Sequence, residues 1–308
     1  MKKTGLKKYT AVIGAAMLML SLAACGASKD ETTAAGTAAA DTTAADTTAA
    51  ETAEEAEGGS SRLDAILEAG VITMATSPDF APYEFEDISS GETTYAGADV
   101  ELGKYIAEKL GVELQIEAMD FNACQGAVSM GSVDMSISGF AYTEERAENC
   151  GISDGYNITS DEEEQGILIL KSRADELSSA EGFAGKTVAV QNASLQQQLR
   201  NEQLPEAKEE VITSLNDGIM MLITEKIDGM ACAVDVAEQY CTNYPDLALS
   251  DFYFEYESQG TRILVPKGED ELLEAINEII AEVNELGIYQ EWVDEGIELA
   301  TSLGIETN

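Results

Sequence analysis

Apolar and polar positions along this chain follow two periods. The runs at 71–76, 113–117 and 134–138 read as strands, and between them the stretches 99–110 and 122–130 repeat apolar residues three and four positions apart, as one helix face does. A second series repeats the arrangement, with strands expected near 165–170, 187–191, 210–213 and 228–233 and helices starting near Ser194, Asn216 and Val234. Gly111, Gly131, Gly185 and Gly287 stand where helices should stop or turns should form. Strands alternating with amphipathic helices predict an α/β fold with crossover helices.

The first residues follow neither period. Lys2, Lys3, Lys7 and Lys8 precede an apolar run at 11–24, broken only by Gly14 and Ser21. It is shorter than the roughly 20 residues of a permanent membrane span and ends in small residues, so 1–24 reads as a cleavable signal peptide. Leu22-Ala23-Ala24-Cys25-Gly26 resembles a bacterial lipobox, in which the Cys25 thiol takes a diacylglyceryl chain. Residues 25–61 are then the lipidated cysteine and a tether of Ala, Thr, Asp, Glu, Gly and Ser. Such a segment buries too little apolar surface to offset the entropy of ordering, and disorder is expected.

Charge and composition narrow the chemistry. From Arg62 onward there are 12 basic and 50 acidic side chains, a net of −38. That excludes nucleic acid as a partner, because phosphate neutralisation needs basic patches. The chain has no histidine, which removes the commonest general base and the His-containing zinc motifs. Cys124, Cys150, Cys232 and Cys241 form no CxxC pair and read as unpaired core residues.

Five segments in order carry a resemblance: Pro78-Asp79-Phe80-Ala81-Pro82-Tyr83-Glu84-Phe85, Gly97-Ala98-Asp99-Val100-Glu101-Leu102, residues 131–139, Thr143-Glu144-Glu145-Arg146, and Ile152-Ser153-Asp154-Gly155-Tyr156. They resemble the extracellular solute-binding proteins of family 3, receptors of polar amino acid importers. The resemblance implies the periplasmic-binding-protein fold, type II: two α/β lobes joined by two hinge strands, with the ligand between them. Lobe 1 is expected from 62–160 plus 260–308 and lobe 2 from 161–259, the chain crossing near 157–164 and 257–262. It implies a monomer, without cofactor or metal, held to the extracytoplasmic face of the cell membrane by its lipid. The monomer captures a small polar ligand, an amino acid or analogue, and delivers it to an ABC permease.

A zwitterion needs a cation for its carboxylate, an acceptor for its ammonium and apolar walls. Arg146, whose planar fork can pair bidentately, matches the family's carboxylate-binding arginine. Phe80 and Phe121 match its cleft aromatics. Gly139 follows a strand where bare backbone can approach a ligand. Ala141 stands where a hydroxyl residue is usual, leaving only its amide. Gln191 is expected to face the ligand's side chain and Ser194 its carboxylate, with helix capping the competing role for Ser194. The family's ammonium-binding aspartate would fall at Ala233. Either Asp235 serves in its place, or Asp79 or Glu84 does, or the ligand lacks an ordinary α-amino group.

Two alternatives belong to other classes. An enzyme on the same scaffold, a dehydratase of cyclohexadienyl type, would need a poised acid and base, such as Glu84 with Lys104. A ligand sensor would need a fused transmembrane or signalling segment.

Overall fold

A computed structural model describes residues 60–89, 91–157 and 164–303. The signal, lipobox and tether readings, Cys25 included, and the middle of the first crossing lie outside the described residues.

The chain opens with α1 (Arg62–Ala69), β1 (Val71–Thr76), β2 (Asp79–Phe80), β3 (Glu84–Asp87), β4 (Thr94–Ala96), α2 (Ala98–Leu110) and β5 (Glu113–Ala118). It continues through α3 (Phe121–Ser129), β6 (Met135–Ala141), α4 (Glu144–Asn149) and β7 (Cys150–Ile152). After the crossing come β8 (Gln165–Leu170), β9 (Thr187–Gln191), α5 (Leu195–Gln203), β10 (Lys208–Ile212), α6 (Leu215–Ile223), β11 (Gly229–Ala233), α7 (Val234–Asn243) and β12 (Leu247–Phe254). The return brings β13 (Thr261–Pro266), α8 (Asp270–Leu286) and α9 (Ile288–Leu303).

Two five-stranded sheets result, in the orders β5-β1-β6-β13-β7 and β10-β9-β11-β8-β12, with β2-β3-β4 a small third sheet. In each large sheet the central strands run parallel and the strand that arrives across the crossing, β13 or β8, is antiparallel to its neighbours. This is the two-lobed type II fold. Both faces of each sheet are covered, so the central strands are apolar on both sides. In β8, Ile167 and Ile169 join one core layer while Leu168 joins the other. In the first lobe Ile72, Met74, Leu102, Ile106, Ile137, Ile276 and Ile280 form one buried cluster, so α8 completes a core that β1 begins.

Element boundaries follow local chemistry. Asp120 caps α3 by accepting from Ala123 N–H, which starts that helix at Phe121 rather than at residue 122. Gly111 and Gly287 close α2 and α8 in the left-handed region. Cys124, Cys150 and Cys232 are buried thiols and Cys241 is half-buried; all four are unpaired. The returning crossing, 255–260, is irregular backbone rather than strand, although Tyr156 and Thr261 form an antiparallel bridge beside it.

The loop after β2 is clamped from behind. A Cβ built on Gly296 of α9 would lie 2.5 Å from the Pro82 carbonyl oxygen, so the helix and this backbone are in contact with no room between them. Gly296→Ala would raise helix propensity by about 1 kcal/mol. The clash is with backbone, which cannot step aside as a side chain does, and overpacking costs roughly 1–3 kcal/mol. Urea unfolding of this variant is expected to show a net loss of stability; a gain would mean that α9 does not brace the loop.

Candidate ligand-binding cleft

The parallel strands of both lobes end facing one another, and the loops after them enclose a cavity with an empty volume of about 540 Å³, its open mouth included. From the first lobe it is lined by Phe80 and Tyr83 at β2, Phe121 at the start of α3, Gly139 and Ala141 at the end of β6, and Arg146 of α4. The second lobe adds Gln165, Leu195, Gln196, Ala233 and Asp235, and Asn157, Thr261 and Tyr289 close the side next to the crossings.

Arg146 dominates the electrostatics. Thr143 caps α4 and fixes the turn that carries it. Its side chain is buried, stacked near Phe121 and Phe140 at 5.4 and 5.3 Å from their ring centroids. Nε donates to Gln125 Oε1 at 3.0 Å, Nη1 to the Ala141 carbonyl at 2.5 Å and Nη2 to the Ala193 carbonyl at 2.9 Å. All these partners are neutral, and Arg146 makes no ion pair among the described residues. Burial pulls its pKa down to about 10. Ala193 belongs to the second lobe and presents its carbonyl from the left-handed region, φ 58°.

Other bonds also cross the cleft. Leu215 N–H, at the first turn of α6, donates to Asp79 Oδ2 at 2.9 Å, and the Tyr83 hydroxyl donates to Asp235. The two lobes are therefore closed on each other. Gly139 has φ 59°, and a Cβ there would lie 3.0 Å from the Phe80 ring, so its bareness lets Phe80 lie flat against β6.

Behind this wall sits a carboxyl pair. Asp99 accepts from Gly139 N–H at 2.8 Å and from the Tyr156 and Tyr289 hydroxyls at 3.0 and 2.6 Å. Glu84 accepts from the Ser138 hydroxyl at 2.7 Å and is 1% exposed. Burial, then the neighbouring Asp99 charge, push the Glu84 carboxyl well above the usual range.

Of the eight binding residues expected from the sequence, Phe80, Phe121, Gly139, Ala141, Arg146 and Asp235 line this one cavity. Gln191 and Ser194 do not. Gln191 Nε2 turns to Asp79 and to the Thr213 carbonyl, and the Ser194 hydroxyl is taken by Gln197 N–H as the cap of α5. Asp79, tied across the cleft at α6, and Glu84, sealed behind Ser138, are also absent from the lining. Lys104 pairs with Glu101 on an exposed helix face at 2.7 Å, so no acid–base couple with Glu84 is assembled. The lining residues that sequence reasoning missed include Asn157, Gln165, Gln196, Thr261 and Tyr289. The one local signal was Gln165, a carboxamide opening an otherwise apolar strand.

The family model for bacterial extracellular solute-binding proteins, family 3, matches residues 72–295. The arginine-binding extracellular protein ArtP of Bacillus subtilis (strain 168) is 27% identical over 287 residues, covering 92% of this chain and 94% of ArtP. The crystal structure of the amino acid ABC transporter substrate-binding protein AbpA from Streptococcus pneumoniae Canada MDR_19A, bound to L-arginine, matches with a TM-score of 0.72 at 28% identity, covering 77% of this chain and 98% of that one. Cyclohexadienyl dehydratase of Pseudomonas aeruginosa is 32% identical over 96 residues, 31% of this chain and 35% of the enzyme.

The buried carboxyl pair has a measurable consequence. A carboxyl whose folded pKa is raised adds stability at pH values below its unfolded pKa, about 4.3, and that contribution is lost as pH rises through the folded value. Unfolding free energy, measured with urea, should fall as pH rises from about 5 towards 8, and Glu84→Gln should remove most of that fall. Identical pH profiles for the two proteins would show that Glu84 is ionised throughout.

Proposed function

We propose, from the premise that this chain belongs to the bacterial extracellular solute-binding proteins, family 3, that it is the receptor of an ABC importer and that its ligand is an amino acid. One observation carries the ligand class: a buried guanidinium, Arg146, faces the cavity with only neutral oxygens around it. A carboxylate there supplies the opposite charge that these neutral oxygens lack, and Arg–carboxylate pairs, often bidentate, are among the strongest hydrogen-bonded contacts. Relatives named for amino acid binding, ArtP and AbpA, support the same reading.

In this reading Arg146 holds the carboxylate together with the Ala141 amide, Phe80, lying on the bare Gly139, and Phe121 form the apolar walls, and Asp235 takes the ammonium. Gln191 and Ser194 act one step removed, by seating Asp79 and capping α5. Lobe 1, residues 62–160 with 260–308, receives the ligand, and lobe 2, residues 161–259, closes over it. Closure then presents one rigid surface to a permease, the ligand acting through its greater affinity for the closed form. A monomer suffices. Lipidated Cys25 and the tether to residue 61 hold the receptor at the extracytoplasmic face of the membrane.

A saturating amino acid at about 100 times its dissociation constant should stabilise the chain by roughly 2.7 kcal/mol. That corresponds to a rise of roughly 5 to 10 °C in the melting midpoint. Arg146→Ala is expected to abolish this shift and the compaction on ligand addition seen by small-angle scattering; an undiminished shift would remove Arg146 from the site. Cys25→Ser should move the protein from the membrane pellet to the soluble fraction and end labelling by radioactive fatty acid. Continued labelling would place the lipid elsewhere.

A further inference from the structure

Charges inside the cavity are few. Among the described residues Arg146 is its cation and Asp235 its carboxylate. Asp99 lies behind the wall with both oxygens occupied, Oδ2 by Gly139 and Tyr156 and Oδ1 by Tyr289. An α-amino acid bound as proposed above uses both lining charges, its carboxylate on Arg146 and its ammonium on Asp235. The other polar side chains of the lining carry no charge: the carboxamides of Asn157, Gln165 and Gln196 and the hydroxyls of Tyr83, Thr261 and Tyr289.

Two of these form a unit. Gln196 Nε2 donates to Gln165 Oε1 at 2.7 Å, linking the start of α5 to the start of β8. Gln165 is only 3% exposed, and it pairs across the sheet with Ala233, whose methyl leaves the space in front of β11 open. A carboxamide offers donors and an acceptor in one plane, and its complement is another group of the same kind. A guanidinium or ammonium side chain would leave water and find no second carboxylate among the described lining residues. A carboxylate side chain would find no second cation, inside a domain of net charge −38. Either mismatch strands a charge in a closed cavity, the costliest outcome for a buried site.

We propose that the amino acid carried by this chain has an uncharged, hydrogen-bonding side chain of the carboxamide kind, and that the Gln165–Gln196 pair is what selects it. The inference rests on the amino acid reading given under Proposed function. Isothermal titration calorimetry of the purified chain with L-glutamine, L-arginine and L-glutamate tests it. Glutamine is expected to bind at least roughly tenfold more tightly than either charged amino acid. Arginine or glutamate binding as tightly as glutamine would overturn the side-chain assignment and leave the receptor reading standing. No heat from any α-amino acid would sink both. Gln196→Glu places a carboxylate in the pair and should move the arginine-to-glutamine affinity ratio by about tenfold or more in favour of arginine. Gln165→Glu makes the same test from the other strand, with circular dichroism confirming that each variant is folded. A wild-type ratio in the folded variants would show that the pair does not select the ligand.

Discussion

A guanidinium drawn out of water needs dipoles or an opposite charge around it, and here the supply of dipoles depends on the position of two lobes. Arg146 obtains Gln125 Oε1 and the Ala141 carbonyl from its own lobe, but the Ala193 carbonyl reaches it only across a shut cleft. Opening therefore removes a partner from a cation whose proton burial has already made easier to lose, its pKa drawn down to about 10. The same group that makes the site attractive to an anion couples that attraction to closure.

The rest of the cleft keeps this arrangement dry and fixed. Phe80 lies on Gly139 because no Cβ intervenes, and Gly139 N–H is anchored by Asp99, which two tyrosine hydroxyls also hold. Tyr289 belongs to α9, as does Gly296 against Pro82. One C-terminal helix thus sets both the floor of the cavity and the loop bearing its aromatic wall. Across the cleft Asp79 accepts from the first turn of α6, where the helix dipole favours a carboxylate, although burial raises its pKa.

Much of this could be read along the chain, and the remainder could not for definable reasons. The central strands are buried on both faces, so β8, β9 and β11 announce themselves as largely apolar runs, while β1 and β6 interleave apolar residues with buried serine and threonine. The two-residue β2 and three-residue β4 are too short for any period to register. Arg146 and Phe80 sit in dense local motifs, whereas Thr261 and Tyr289 reach the cavity only because distant segments return to it. Gln191 and Ser194 occupy the expected loop, yet backbone and side-chain donors nearby claim their polar atoms first. Composition alone could not distinguish capping from ligand contact at Ser194, since the same hydroxyl geometry serves both.

The chain path through the two sheets also sets an order of assembly. The second sheet is built from one uninterrupted stretch, β8 to β12, and can form from its own residues. The first is incomplete until β13 inserts between β6 and β7, and its core lacks a layer until α8 and α9 arrive. The lobe that starts the domain is thus the one finished last, its early strands waiting on contacts from more than a hundred residues downstream, the kind of long-range pairing that slows folding. Thr261 and Tyr289, which line the binding cavity, both belong to that late segment, so the cavity is incomplete until it arrives.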